Sequence, residues 1–504
     1  MTSVERDALA VLQPPFAGPT APSWLLRLLE EGLTGVGLFG SNIESPEQLA
    51  ALTAALREAR PEVLIATDEE GGDVTRLDAQ TGSAYPGNHA LGAVDDPDLT
   101  RAVAAAIGSR LAACGVNVDW APCADVNSDP RNPVIGVRSF GDDPALVARH
   151  TAAYVEGLQS AGVAACVKHF PGHGDTHVDS HLALPRVDVT LDQLRRRDLV
   201  PFEAAIAAGT RCVMSAHILL PALDPAHPAT LSPAALAGLL RAPAEQGGLG
   251  FDGLIYTDAI EMKAISDTHG LAGGCVLAIA AGADALCVGG EPCDEEQVLY
   301  LRDALVAAVR EGRLSEERLH DAAERVRALG AWAAAARATA SRPQPPTDIG
   351  LQAARRALRV IPGTAPFRPL TTPPYVAALT PGVTMAVGRR TPWGLEPALN
   401  QLLPGTRGGC YGPHDVDAPG GGAGATAARI LADAGERPVV AVVRDAHRHP
   451  WMQRILAALL QARPATAVVE MGVPHGKPAG APYLATHGAA RVCGQAAAEA
   501  LTGR

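Results

Sequence analysis

The sequence predicts an α/β protein: a (β/α)8 TIM-like barrel followed by a smaller C-terminal α/β sandwich domain. Three observations carry the prediction. Short runs that are apolar at nearly every position alternate with longer helix-like stretches up to about residue 340, which is the pattern of parallel strands covered on both faces by helices. About eight such runs can be counted, the number that closes this barrel. A Pro-rich stretch without periodicity, ASRPQPPTDIG, then precedes a remainder with strand-like runs of its own.

In chain order the expected barrel strands are 8–12, 35–39, 63–67, 116–120, 164–169, 212–217, 253–257 and 285–288. Helices are expected at 46–60, 99–114, 145–161, 191–208 and 295–310. The first of these opens well, because Ser45 supplies a side-chain acceptor and Pro46 a preset backbone angle. An open, doubly wound sheet would show fewer strands for this length and a Gly-rich first turn. The domains are therefore set at 1–340 for the barrel, 341–350 for the linker and 351–504 for the C-terminal domain. The last contains strand-like runs at 376–379, 439–443 and 467–470, with helical patterns at 451–461 and 489–501. Its Gly-rich stretch PGGGAGATAARIL, 419–431, could cradle a phosphate only with a strand just before it. YGPHDVDA is a poor strand, so a surface loop is the preferred reading.

Composition excludes several classes. The chain has 504 residues, 42 Lys+Arg against 54 Asp+Glu, a net charge of −12, and 47% hydrophobic residues with 19% charged. That is too apolar for wholesale disorder and too long for a single small domain. A nucleic acid or an anionic membrane surface asks for a basic face, so neither is expected as a partner. The start, MTSVERDALAVLQPPFAG, lacks a basic then apolar leader, and no apolar run is read as long enough for a membrane span. Nine scattered cysteines, an odd count without C-x-x-C spacing, read as reduced and mostly buried thiols. A cytoplasmic location is the expectation.

Active sites of this barrel lie at the C-terminal ends of strands. The polar residues fall there: Asp68, Asp119, Asp125, Lys168, His169, His217 and Asp258. The densest segment is KHFPGHGDTHVDSHLALP, 168–185, with His169, His173, His177 and His181 beside Asp175 and Asp179. A metal site, a His–carboxylate proton shuttle and a self-bonded Gly-rich loop all compete here, and proton transfer leads. DEEGGDVTRL, 68–77, follows a buried strand; Asp68 can accept from hydroxyls and Arg76 can bind a polar group, or the segment is a solvated turn. NPVIGVRSF supplies Arg138, weak evidence by itself. In YTDAIEM, Asp258 is either a helix cap with Glu261 as its capping-box partner or a carboxylate nucleophile.

Together these segments, with IGVRSFG between them, closely resemble the β-N-acetylglucosaminidases of glycoside hydrolase family 3 over about residues 30–290. The run VVEMGVP…YLATHGAARVCGQA resembles the second domain of the two-domain bacterial branch. The resemblance implies that Asp258 is the nucleophile, His181 the general acid/base and Asp179 the carboxylate that orients it. Asp68, Arg76, Arg138, Lys168 and His169 are then the residues that hold the N-acetylated sugar. It implies no metal and no cofactor, and a substrate containing N-acetylglucosamine, such as a peptidoglycan-derived fragment. Family members commonly carry arginine where this chain has Asp73, and His177 is an extra titratable group beside the dyad. A phosphorylase of the same family is the nearest alternative, since a neutral imidazole repels phosphate less than a carboxylate does. A non-catalytic carbohydrate-binding barrel and a metal-dependent hydrolase are the others.

Overall fold

Each apolar run of the N-terminal part overlaps a strand; most strands are shorter than the run, while Ala164–Phe170 is one residue longer than its own. The computed structural model describes every residue except 179–182, 341–345, 365–367, 382–390, 418–420 and 477–479. It divides into two units. The first comprises Met1–Glu70, Asp96–Ile135 and Gly141–Pro345; the second comprises Gly71–Asp95, Gly136–Phe140 and Pro346–Arg504. The second unit therefore takes in two segments from the earlier part of the chain.

Among its described residues, the first unit has eight strands: β1 (Leu12–Gln13), β2 (Gly35–Leu38), β3 (Leu64–Thr67), β4 (Val118–Asp119), β5 (Ala164–Phe170), β6 (Cys212–Ser215), β7 (Leu254–Thr257) and β8 (Leu286–Cys287). β2 to β7 form a parallel sheet in sequence order, and β8 pairs in parallel with β1. A parallel bridge from Tyr256 to Ala285 joins β7 to the β8 side, and the Gly37 N–H donates to Pro14 O at 3.2 Å beside β1. The ring is thus closed as a TIM-like barrel. Alternate residues fill its interior, among them Leu64, Ala66, Cys166, Met214 and Tyr256 around Trp120. Gly37 admits that indole, since a Cβ there would lie 2.9 Å from it.

The helix Glu316–Thr339 closes one end of the barrel. Arg325 donates to Asp252 O (2.9 Å) just before β7, Arg318 to Ala283 O (3.2 Å) just before β8, and Trp332 lies under Arg211 just before β6. Every one of these contacts is at an N-terminal strand end, so the carboxyl ends of the strands are the end left for chemistry.

Three sequence expectations change. Residues 8–12 do not form one strand: Ser3–Ala10 is a helix, nucleated by a Thr2–Glu5 capping box, and only Leu12–Gln13 is extended. The stretch 191–208 is two helices, Leu191–Arg196 and Val200–Ala207, because Pro201 has no N–H to carry the helix ladder across the junction. One helix among the described residues, Lys263–Ala281, is long and apolar enough to cross a membrane by length and composition, where no such run was expected. In the fold it follows β7, loses helical geometry at Gly270 (φ +63°), and buries Ile265, Cys275 and Ile279. None of the nine cysteines is joined in a disulfide, and all are buried except Cys410.

Among its described residues, the second unit has one sheet of β9 (Arg359–Ile361), β10 (Tyr375–Leu379), β11 (Arg407–Tyr411), β12 (Val439–Val443), β13 (Ala467–Glu470) and β14 (Tyr483–Ala485). Their order is β11-β10-β12-β13-β14-β9, with only β9 antiparallel to its neighbour. The strands alternate between two apolar faces. Val376, Val440, Val442 and Val469 meet the helices Ile349–Ala357, Glu396–Leu402 and Arg491–Thr502. Ala377, Ala441, Val443 and Val468 meet Ala423–Ala434 and Pro450–Ala462. This is an α/β sandwich. Residues Pro413–Asp417, just before the Gly-rich stretch, are helical, so the strand a phosphate cradle requires is missing there.

Candidate active site

β3 and β7 end alike, in LIAT-Asp68 and LIYT-Asp258. Each terminal threonine is tied to the neighbouring strand: Thr67 Oγ1 donates to Leu38 O (2.9 Å), and Thr257 Oγ1 accepts from Cys287 N (3.1 Å). The aspartate after each is thereby held at the carboxyl end of the barrel. Asp258 is half-buried; its N–H donates to Ser215 O (3.2 Å), and Oδ1 accepts from Ala259 N (2.8 Å). It is not a helix cap. The following helix starts at Lys263 with Met262 before it, and Glu261 accepts instead from Gly290 N (2.5 Å). His217, buried beyond β6, donates from Nε2 to Ala259 O (2.9 Å) and so pins the backbone next to Asp258.

Lys168 comes from β5 and is 2% exposed. Its ammonium sits 2.6 Å from Asp68 Oδ1 and 2.8 Å from Glu70 Oε1. Asp119, fully buried at the end of β4, accepts from Glu69 N (2.9 Å) through Oδ1, while Oδ2 has no partner among the described residues. Burial pushes its carboxyl well above the ordinary range, against the Glu69 N–H bond that favours the anion. The shift favours the neutral acid beside Lys168, Asp68 and Glu70.

His169, also on β5, places Nδ1 2.7 Å from Asp125 Oδ2. Asp125 further accepts from His173 N (2.6 Å), His169 N (3.3 Å) and Cys123 Sγ (3.1 Å). Burial would raise the Asp125 carboxyl, but His169 and His173 outweigh it and hold the carboxyl well below the ordinary range. His173 is pushed down to about 4, by burial first and by His169 second, so it is neutral at neutral pH. Gly174 lets this segment lie on the 123–127 stretch, since a Cβ there would meet Val126 O at 1.7 Å.

Two of the histidines weighed for the alternative of a metal site have other partners. His173 Nδ1 lies 2.9 Å from Thr176 Oγ1, and the exposed His177 pairs with Asp129 at 3.1 Å. Among the described residues the one group with metal-ligand spacing is Cys123, Asp125 and His169. Asp125 is hydrogen-bonded to both of the others, so these donors already serve one another without an ion.

The barrel unit thus brings together Asp68, Lys168 and His169, with Asp258 at the same end. Arg76 and Arg138 belong to the second unit. Arg76 is half-buried; Arg138 is buried at the end of the turn Gly136–Arg138, and its carbonyl accepts from Asn88 Nδ2 (2.7 Å). Asp179 and His181 lie outside the described residues. Glu70, Asp119, Asp125 and His217 were given no role from sequence. Their shared signal is a polar residue where an apolar run stops, a place where burial requires a partner.

A parallel barrel with carboxylates, a lysine and a histidine gathered at its carboxyl end is the layout of a TIM-barrel enzyme, and carboxylates placed there suit glycoside hydrolysis among other reactions. The sequence profile described as "Glycosyl hydrolase family 3 N terminal domain" matches residues 24–329, and the chain belongs to that family. It is 36% identical over 336 residues to "Beta-hexosaminidase A" of Pseudoalteromonas piscicida, covering 62% of this chain and 55% of that protein. It is 40% identical over 272 residues to a "Beta-hexosaminidase" of Stenotrophomonas maltophilia (strain K279a), covering 52% and 77%. The chain thus spans about half the length of the first relative and about three quarters of the second. A solved structure of a glycoside hydrolase family 3 β-N-acetylglucosaminidase from Paenibacillus sp. str. FPU-7 superposes with a TM-score of 0.84 at 34% identity, covering 100% of this chain and 97% of that one.

Proposed function

We propose that this protein is a retaining exo-β-N-acetylglucosaminidase, a family 3 β-hexosaminidase, that removes terminal β-linked N-acetylglucosamine from peptidoglycan-derived fragments or related glycosides in the cytoplasm. The observation that carries the reading is Asp258. It stands at the end of a barrel strand, released from helix capping, with its carboxylate held by the Ala259 N–H. The likeness to the hexosaminidases supports the choice of sugar.

In this mechanism an Asp258 oxygen attacks the anomeric carbon as the glycosidic C–O bond breaks. The leaving oxygen takes a proton from His181, which Asp179 orients, and the sugar remains as an ester of Asp258. Water then attacks the same carbon, gives its proton to His181 and frees Asp258, so two inversions give retention. Asp68, Lys168 and His169 bind sugar hydroxyls, and Arg76 and Arg138 hold the N-acetylated sugar. The Asp125 carboxylate takes His169 Nδ1, which leaves the Nε2 edge of the ring turned the other way.

The test is release of p-nitrophenol from its β-N-acetylglucosaminide, with Asp258→Ala as the comparison. Turnover by the wild type and a loss of at least about a thousandfold in the variant is expected. Equal rates in the two proteins would refute the assignment. Products from a GlcNAc-β-1,4-MurNAc fragment, with and without phosphate, separate free sugar from sugar 1-phosphate and so hydrolysis from phosphorolysis.

A further inference from the structure

Asp73 is buried within the second unit, and its side chain is used twice. Oδ2 forms an ion pair with Arg444, the residue after β12, and Oδ1 accepts from Ala489 N (2.8 Å), just beyond β14. One carboxylate thus ties the outgoing ends of two strands on either side of β13. The turn that carries it is tightly bonded and closely packed. Gly71 and Gly72 have φ of +74° and +61°, Val74 N donates to Gly71 O (3.2 Å), and Gly72 N donates to Tyr85 O (2.9 Å). A Cβ on Gly72 would lie 2.5 Å from Gly87 Cα, so only glycine allows this crossing.

Arg76 follows three residues after that anchor. On its other side, Asp78 N donates to Thr75 Oγ1 (3.0 Å), and Asp78 Oδ2 accepts from Ala84 N (3.0 Å). The rest of the segment is fastened inside the same unit. His89 stacks on His487, with Nδ1 atoms 3.1 Å apart, and Arg359 donates to Ala93 O (3.2 Å). Gly350, on the helix Ile349–Ala357, approaches so closely that a Cβ would be 2.0 Å from Ala84 O. Asn88 in turn holds the carbonyl of Arg138.

We propose that Asp73 and Arg444 are positioning residues for Arg76, through the turn that joins Asp73 to Arg76 within the second unit. The proposal rests on the reading of Arg76 as a residue that holds the sugar. A buried ion pair adds little net stability but is well suited to fixing one arrangement among several. Here the arrangement fixed is the glycine turn Gly71–Val74.

The test uses the full chain and p-nitrophenyl β-N-acetylglucosaminide, with kcat and KM determined separately. Arg444→Ala and Asp73→Ala are each expected to raise KM about tenfold while kcat stays within about threefold. Arg444→Lys, which keeps the charge, recovers most of the loss. On an Arg76→Ala background, Arg444→Ala has no further effect on KM, because the group it positions is gone. An unchanged KM in Arg444→Ala overturns the proposal. So does a KM increase of the same size with and without Arg76, or a fall in kcat alone that tracks a fall in melting temperature. An inert wild type would instead refute the hexosaminidase reading beneath it.

Discussion

Lys168 is nearly inaccessible and faces two carboxylates, those of Asp68 and Glu70. Its removal leaves two like charges beside each other with little water to screen them. Lys168→Met is expected to destabilise the chain by about 3–5 kcal/mol, and Glu70→Gln added to it to recover part of that. Asp119 makes the contrast. Burial pushes its carboxyl toward the neutral acid, whose shape an amide keeps, so Asp119→Asn is expected to cost less stability than Lys168→Met. Urea midpoints of the four proteins check both statements. Asp258 shows what a single residue does and does not disclose in sequence. Its place after an apolar run was legible, but its spacing to Glu261 fits a capping box as well as a nucleophile. Only the path of the chain, which starts the helix at Lys263 and sends Glu261 to Gly290, separates the two.

Elements were legible wherever one rule dominated. Residues 439–443 and 467–470 are the strands β12 and β13 as expected, because Val-rich runs buried on both faces have no competing reading. β9, β11 and β14 escaped notice. Val360 in β9 is 45% exposed, β11 is the Gly-rich RGGCY, and β14 has three residues, so each lacks a hydrophobic signature and is recruited by its neighbour. Glycines show the same dependence on context. Gly174→Ala would drive a methyl into Val126 O, displacing the His173 segment and costing about 1–3 kcal/mol with a fall in kcat. Gly424→Ala, at a helical position with open space around it, should instead stabilise by about 0.5–1 kcal/mol. Thermal melts and p-nitrophenol assays on the two variants distinguish a glycine required by a close approach from one that is not.

At the scale of the molecule the burial of His173 couples stability to pH. Its folded value of about 4 lies below the ordinary 6.5. Above pH 6.5 both states are neutral and nothing is lost; as pH falls toward 4 the unfolded chain takes up the proton and the folded one does not. The contribution is therefore lost on acidification, by about 3 kcal/mol across that window. Asp198, raised to about 6 chiefly by burial, has the opposite slope, so the clean observable is a difference. His173→Asn keeps a group at Nδ1 but does not titrate. Its stability relative to wild type should climb from pH 6.5 to pH 4, as read from urea titrations at several pH values.

The two-unit organisation was only partly legible, because no linker marks the departure of 71–95 and 136–140 from the barrel unit. Glycines and one buried aspartate make that departure. The helix Glu316–Thr339 has a kinetic meaning as well as an architectural one. It covers the amino ends of β6, β7 and β8, and side chains such as Trp120 and Tyr256 fill the interior above it, so the barrel is open to substrate only at its carboxyl end. Everything that reaches Asp258 must then arrive and depart over a single rim. In a double displacement, the severed alcohol has to vacate that rim before water can follow. In the proposed reaction the aglycone therefore leaves by the same opening through which water enters.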